Sequence, residues 1–126
     1  MNGGIPKPRV VYIIDDDPSA QRGLERLMKS HGFDVTLFAS ARDLLMASLP
    51  PANVCLISDV AMPEMDGLQM YAELRRRGCQ APVIFITALD DPALRESAIG
   101  AGASAFFRKP VDGDALRKAI EAAKGG

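Results

Sequence analysis

The sequence predicts an α/β domain built on a doubly wound, five-stranded parallel sheet. Two observations carry this expectation. Five short apolar runs alternate strictly with segments whose apolar residues recur at helical spacing. The third and fourth runs, "NVCLIS" and "PVIFIT", are apolar on both faces, as interior strands of a parallel sheet are. The size agrees: 126 residues, 48% of them hydrophobic, make one ordinary domain with a core that needs no disulfide or structural metal.

The elements follow in order. Val10–Ile14 is the first strand. Asp17 can cap the first helix, Pro18 suits its first position, and Leu24, Leu27 and Met28 share a face before His31-Gly32 closes it. "FDVTLF" is the second strand; Ser40 and Asp43 then form a capping-box pattern ahead of "LLMASL". Val54–Ile57 is the third strand. Asp66-Gly67 makes a turn into a third helix, Gly67–Arg77, with Leu68, Tyr71 and Leu74 inward. "PVIFIT" is the fourth strand, and Asp91-Pro92 repeats the cap-plus-proline start, with Leu94, Ala98 and Ile99 on one face. "SAFFR" is a short fifth strand. Asp112 or Asp114 opens a fifth helix that buries Leu116, Ala119, Ile120 and Ala123.

Composition narrows the function classes. A net charge of −1 gives no bulk attraction for nucleic acid or an anionic membrane. Cys55 lies in an apolar strand and Cys79 in a loop, so a reducing cytoplasm is the expected location. No apolar stretch approaches the roughly 18 residues of a membrane span. Residues 1–8 read as a flexible leader without a signal-peptide core, ahead of a domain over 9–124.

In a parallel sheet all strand C-termini lie on one rim, where doubly wound folds bind ligands. The first strand ends there in Asp15, Asp16 and Asp17, the third in Ser58 and Asp59, the fourth in Thr87, and the fifth in Arg108, Lys109 and Pro110. Adjacent carboxylates about 4 Å apart repel by roughly 4 kcal/mol at an effective dielectric near 20. A hard divalent cation such as Mg²⁺ would offset that repulsion. It would also leave coordination positions open for water and a phosphoryl oxygen. A carboxylate in such a site can attack phosphorus, with a hydroxyl and a lysine neutralising the developing charge.

The pieces "IIDDDPS", "LISDVAMPEMDGL", "FITA" and "FFRKP", in that order, resemble the receiver domain of two-component response regulators over residues 9 to 124. The stretch "TLFASARDLL" further resembles the branch whose receivers precede a helix-turn-helix output domain. The resemblance implies a flavodoxin-like (βα)5 fold with strand order 2-1-3-4-5. It implies that Asp59 is the phosphoacceptor, that Asp16 is a direct metal ligand, and that Asp15 acts more through water. The Ala61 backbone carbonyl would complete the shell around Mg²⁺, with Mn²⁺ as a substitute. Thr87 resembles the hydroxyl that follows the phosphoryl group, and Lys109 the lysine that pairs with the acceptor. Phe106 stands at the family's aromatic switch position, and the Lys109–Pro110 bond is expected to be cis. Asp17 is expected to cap the helix, not to bind metal. His31 is expected to serve a helix end, not to carry phosphate.

The expected function is a phosphorylation switch. A sensor histidine kinase or histidine phosphotransfer protein donates to Asp59, and the face of the fourth helix, fifth strand and fifth helix changes its partner affinity. Expected partners include a phosphorylation-dependent homodimer and a transcriptional output domain, with no nucleic acid or membrane bound by this domain itself. Enzymatic turnover is not expected beyond assistance to its own phosphorylation and slow dephosphorylation. Three other readings are weaker. A haloacid-dehalogenase-type phosphatase needs a carboxylate two residues past the nucleophile, where this chain has Ala61. A flavin or nucleotide module needs a glycine-rich loop where this chain has three aspartates. A phosphorylation-independent scaffold would not need the full set of acids, Thr87 and Lys109. Two further alternatives stay open: a stand-alone receiver, or the N-terminal part of a longer transcription regulator, which the branch resemblance favours.

Overall fold

A computed structural model describes residues 9–123. The expected leader, 1–8, and Lys124 lie outside the described residues. The elements run β1 (Val10–Ile14), α1 (Pro18–Ser30), β2 (Asp34–Phe38), α2 (Ala41–Met46), β3 (Val54–Asp59), α3 (Gly67–Arg76), β4 (Val83–Thr87), α4 (Pro92–Gly100), β5 (Ala105–Arg108) and α5 (Gly113–Ala122). All neighbouring strands pair in parallel, in the order β2-β1-β3-β4-β5. This is the doubly wound topology the sequence predicts.

Alternation along the strands sends successive side chains to opposite faces. In β3, Leu56 packs with α2, α3 and α4 residues such as Leu44, Tyr71 and Ala98. Its neighbours Cys55 and Ile57 join Leu24 and Met28 of α1 and Leu116 and Ile120 of α5. Every residue of β3 and β4 is buried, so both faces of the sheet centre are covered. Burial pushes the Cys55 thiol up to about 12, and Cys79 is buried as well.

The capping signals resolve with some corrections. Asp17 caps α1 with Pro18 in its first turn, and Asp91 and Pro92 do the same for α4. Asp112, not Asp114, caps α5. At α2, Ser40 accepts from the Asp43 N–H, but the returning bond of a full box is not made among the described residues. The complete box is at α3, where Asp66 and Gln69 exchange both bonds. Asp43 is one methylene shorter than a glutamate or glutamine and does not reach back. The helix itself ends at Arg76, with Arg77 as its C-cap. Phe33, Pro82 and Ser104 flank their strands and do not belong to them.

Three inward assignments shift. Met70 is fully buried in α3 while Leu68 is only half-buried. The inward line of α3 runs through Gly67, Met70, Tyr71 and Leu74, and Leu68 stands about 100° from Gly67 around the axis. Ile99 of α4 is 44% exposed. It lies five residues from Leu94, about 140° around the helix, so it misses the face that Leu94 and Ala98 share. Ala119 of α5 is half-buried beside the fully buried Leu116 and Ile120.

Candidate functional site

The three carboxylates that follow β1 divide into three environments. The Asp15 N–H continues the ladder by donating to the Phe38 carbonyl at the end of β2 (3.2 Å). That bond keeps the Asp15 side chain inside, 1% exposed as a residue. Its Oδ1 accepts the Asp17 N–H at 2.9 Å. Asp16 is exposed at the mouth of the rim, and no hydrogen bond reaches its carboxylate among the described residues. Asp17 turns away and accepts the Ser19 N–H at 3.1 Å as the cap of α1.

Asp59 is the last residue of β3. Its Oδ1 accepts the Ala61 N–H at 3.0 Å, and its Oδ2 faces Lys109 Nζ at 2.9 Å. The same ammonium donates to Asp15 Oδ2 at 3.2 Å. Burial alone would pull the Lys109 pKa down. The hydrogen bond and charge of Asp59, and then of Asp15, outweigh it and hold the lysine above its ordinary value. One carboxylate oxygen each from Asp15, Asp16 and Asp59 lies within 4.8 Å of the others. Three carboxylates against one ammonium leave a local excess of negative charge, and all the donors are hard oxygens. This donor set fits a small divalent cation.

The backbone around Asp59 is held from α3. A Cβ on Gly67 would stand 2.5 Å from the Asp59 carbonyl oxygen, so only glycine lets the helix start this close to β3. The Gly67 N–H donates to the Val60 carbonyl at 2.8 Å, and Ser58 Oγ donates to the Asp59 carbonyl at 2.8 Å. Between Asp59 and Gly67 the loop passes through Glu64 at φ 67°, the left-handed region.

On the other side of Asp59, β4 sets the register. Asp59 pairs with Ile86, so Thr87 lies one step further along the neighbouring strand. Thr87 is fully buried, and its Oγ1 accepts the Leu89 N–H at 3.0 Å. The Thr87 carbonyl in turn accepts the Lys109 N–H at 2.8 Å, which ties the end of β5 to β4. The Lys109–Pro110 bond is cis, as the resemblance implies. Phe106 pairs with Phe85 in register and is half-buried against the core beneath α4, whereas Phe107 packs on the opposite face.

The rim thus brings Asp15, Asp16, Asp59 and Lys109 together, with Thr87 beside them and Ala61 bonded to Asp59. Phe106 stands two positions back along β5 from Arg108. Two residues of the site were not read from the sequence. Gln21 of α1 donates from Nε2 to the Phe38 carbonyl at 3.0 Å and to the Asp15 carbonyl at 3.4 Å. Its signal was a polar residue in line with Leu24 and Met28 on the inward side of α1. The sequence marks Gly67 only as a turn residue, whereas its role is the close approach to β3.

Residues 11–121 match the response regulator receiver domain family. The chain is 43% identical over 114 residues to the response regulator protein TodT of Pseudomonas putida, covering 90% of this chain and 50% of that one. It is 36% identical over 121 residues to the transcriptional regulatory protein FixJ of Azorhizobium caulinodans, covering 96% and 57%. The crystal structure of FixJ-N superposes with a TM-score of 0.83 at 30% identity, covering 89% of this chain and 90% of that one. The chain spans about half the length of the curated relatives it matches. No helix among the described residues is long and apolar enough to cross a membrane.

Proposed function

The chain belongs to the response regulator receiver family of two-component signalling, and from that membership we propose that Asp59 is its phosphoacceptor. The observation that carries the reading is the single ammonium of Lys109 spanning Asp59 and Asp15, with Asp16 completing an oxygen cluster at the same rim. A carboxylate oxygen of Asp59 attacks the phosphorus of a phosphohistidine, the P–N bond breaks, and its electron pair stays on the imidazole. The product is an aspartyl phosphate. Small phosphoryl donors such as acetyl phosphate follow the same course, with a P–O bond breaking instead.

Asp16, Asp59 and the Ala61 carbonyl would hold Mg²⁺ or Mn²⁺ directly, with Asp15 acting through water. The bound ion would neutralise charge on the phosphoryl oxygens. Lys109 holds Asp59 in place and then pairs with a phosphoryl oxygen, since its ammonium already lies beside the acceptor. The Thr87 hydroxyl accepts from Leu89 N–H, which leaves its proton free to donate toward the new dianion. If Thr87 turns to it, the Leu89 bond is lost and the segment ahead of α4 is released. Phe106, half-buried on the next strand, then moves inward and changes the face of α4, β5 and α5. The phosphoryl group must interact better with one arrangement than with the other for this to shift the population.

The donor is a sensor histidine kinase or a histidine phosphotransfer protein. A groove of about 480 Å³ beside Lys109 and Pro110, lined by Gly23, Leu24, Leu27 and Val111, offers it an apolar seat next to the acceptor. The chain acts as a phosphoacceptor with slow self-dephosphorylation, not as a turnover enzyme, in the cytoplasm. By its relatives it serves a transcription regulator, with a phosphorylation-dependent homodimer as one output. The test is labelling by acetyl phosphate with Mg²⁺, read by intact mass. Wild type gains one phosphoryl group, and Asp59→Asn gains none. Acid-stable labelling of Asp59→Asn at the wild-type level would overturn the assignment.

A further inference from the structure

The three carboxylates of the rim are not held equally. Asp15 is fixed by the Asp17 N–H and by Lys109, and Asp59 by the Ala61 N–H and by Lys109. Asp16 receives no hydrogen bond among the described residues, yet its carboxylate lies in the same 4.8 Å cluster. The backbone that carries it therefore sets where its side chain starts. The peptide group entering Asp16 is planar, so holding the Asp15 carbonyl holds the N and Cα from which the Asp16 side chain starts.

One side chain holds that carbonyl. Gln21 Nε2 lies 3.4 Å from the Asp15 carbonyl and 3.0 Å from the Phe38 carbonyl, which also accepts the Asp15 N–H. Gln21 so ties α1 to the C-terminal ends of β1 and β2 together. It is half-buried on the line of α1 that also carries the buried Leu24 and Met28. Its carbon stem and terminal amide span a distance that a shorter residue would not.

We propose that Gln21 is a positioning residue for the acidic rim: its amide bridges the Phe38 and Asp15 carbonyls, restrains the Asp15–Asp16 peptide group and thereby places Asp16 at the cation site. The proposal rests on the reading of Asp15, Asp16 and Asp59 as a divalent-cation site. Outer-shell partners of metal ligands commonly change metal affinity by about 10- to 100-fold. Gln21 acts one step further out, through a peptide group, so the lower end of that range applies. Its loss weakens Mg²⁺ binding about tenfold.

The experiment titrates Mg²⁺ into the nitrogen-15-labelled chain and follows amide resonances and calorimetric affinity for wild type, Gln21→Met and Gln21→Asn. Methionine keeps the length without a donor, and asparagine keeps the donor without the length. Both variants are expected to bind Mg²⁺ about tenfold more weakly. Before Mg²⁺ is added, the Asp16 and Asp17 amides should already be shifted, while the amides of Asp59 to Ala61 stay in place. A purely structural tether would instead lower the melting temperature and leave Mg²⁺ affinity unchanged, and that result overturns the proposal. Equal shifts across the whole rim overturn it too. Failure of wild type to bind Mg²⁺ rejects the cation-site reading itself and the proposal with it. Binding by wild type and by both variants alike rejects only the role of Gln21.

Discussion

Among the described residues, the charge clusters at the end of α3 and at the rim are of inverse composition, and their difference shows where electrostatics serve chemistry. At the C-terminal end of α3, one carboxylate meets two cations: Glu73 pairs with Arg76 at 2.6 Å and with Arg77 at 2.7 Å. The hydrogen bonds of Arg76 and then Arg77 draw the Glu73 carboxyl down to about 2. At the rim, one cation meets two carboxylates, with a third nearby. The α3 cluster is open to water, where ion pairs contribute little and salt screens them. At the rim the Asp15 side chain is fully buried and Asp59 nearly so, with Asp16 exposed at the mouth. The rim's uncompensated charge is therefore felt strongly. The exposed cluster satisfies itself, whereas the rim keeps an excess of negative charge.

Substitutions can break this contrast from either side. The largest expected effect is Gly67→Ala, because the new Cβ meets backbone oxygen that has no freedom to swing away. It should cost about 2–3 kcal/mol in denaturant unfolding. It should also impair phosphorylation, since Asp59 must move with β3. Next is Lys109→Met, which leaves Asp15 and Asp59 facing each other without their shared partner. With the lysine side chain 24% exposed, the cost falls below that of breaking a fully buried pair, at about 2 kcal/mol without divalent cations. Saturating Mg²⁺ should narrow the gap to wild type. A gap that Mg²⁺ leaves unchanged would mean that the rim's charge deficit is not what the cation meets.

The smallest effect belongs to Glu73→Gln, a slight loss near neutral pH that disappears in acid. The folded pKa of Glu73, about 2, lies below its ordinary value of 4.5. Its contribution is therefore complete above pH 4.5 and is lost as pH falls through 2. Thermal melts should place the variant slightly below wild type above pH 4.5, with the gap closing as pH falls toward 2. A large difference at neutral pH would erase the contrast between the two clusters.

Much of this architecture is legible in the chain itself. Strand cores show as apolar runs, and caps show as aspartate or serine ahead of proline or helical spacing. The rim residues follow from where each run ends in a parallel sheet, so Asp15, Asp59, Thr87 and Lys109 could be grouped before any geometry was known. What escaped depends on distances that spacing does not encode. Ile99 and Leu68 are apolar, and only the phase at which each helix meets the sheet puts them off the inward line. Gly67 reads as any helix-opening glycine until the Asp59 carbonyl is found against it. The division of Asp15, Asp16 and Asp17 into inside, mouth and cap depends on the Asp15 N–H staying in the ladder. The function of Gln21 is invisible because its partners are two backbone carbonyls, which no residue type announces.

The burial of Cys55 has a practical consequence. Burial holds its thiol far above the ordinary value, so the reactive thiolate is scarce at neutral pH. Cys79 is also buried, against the Pro50 carbonyl. Neither sulfur offers maleimide reagents an open target in the folded state. A single cysteine introduced on the surface of α4 would therefore accept a fluorophore or spin label selectively. Movements of that face could then be watched in the native chain without first removing its own thiols.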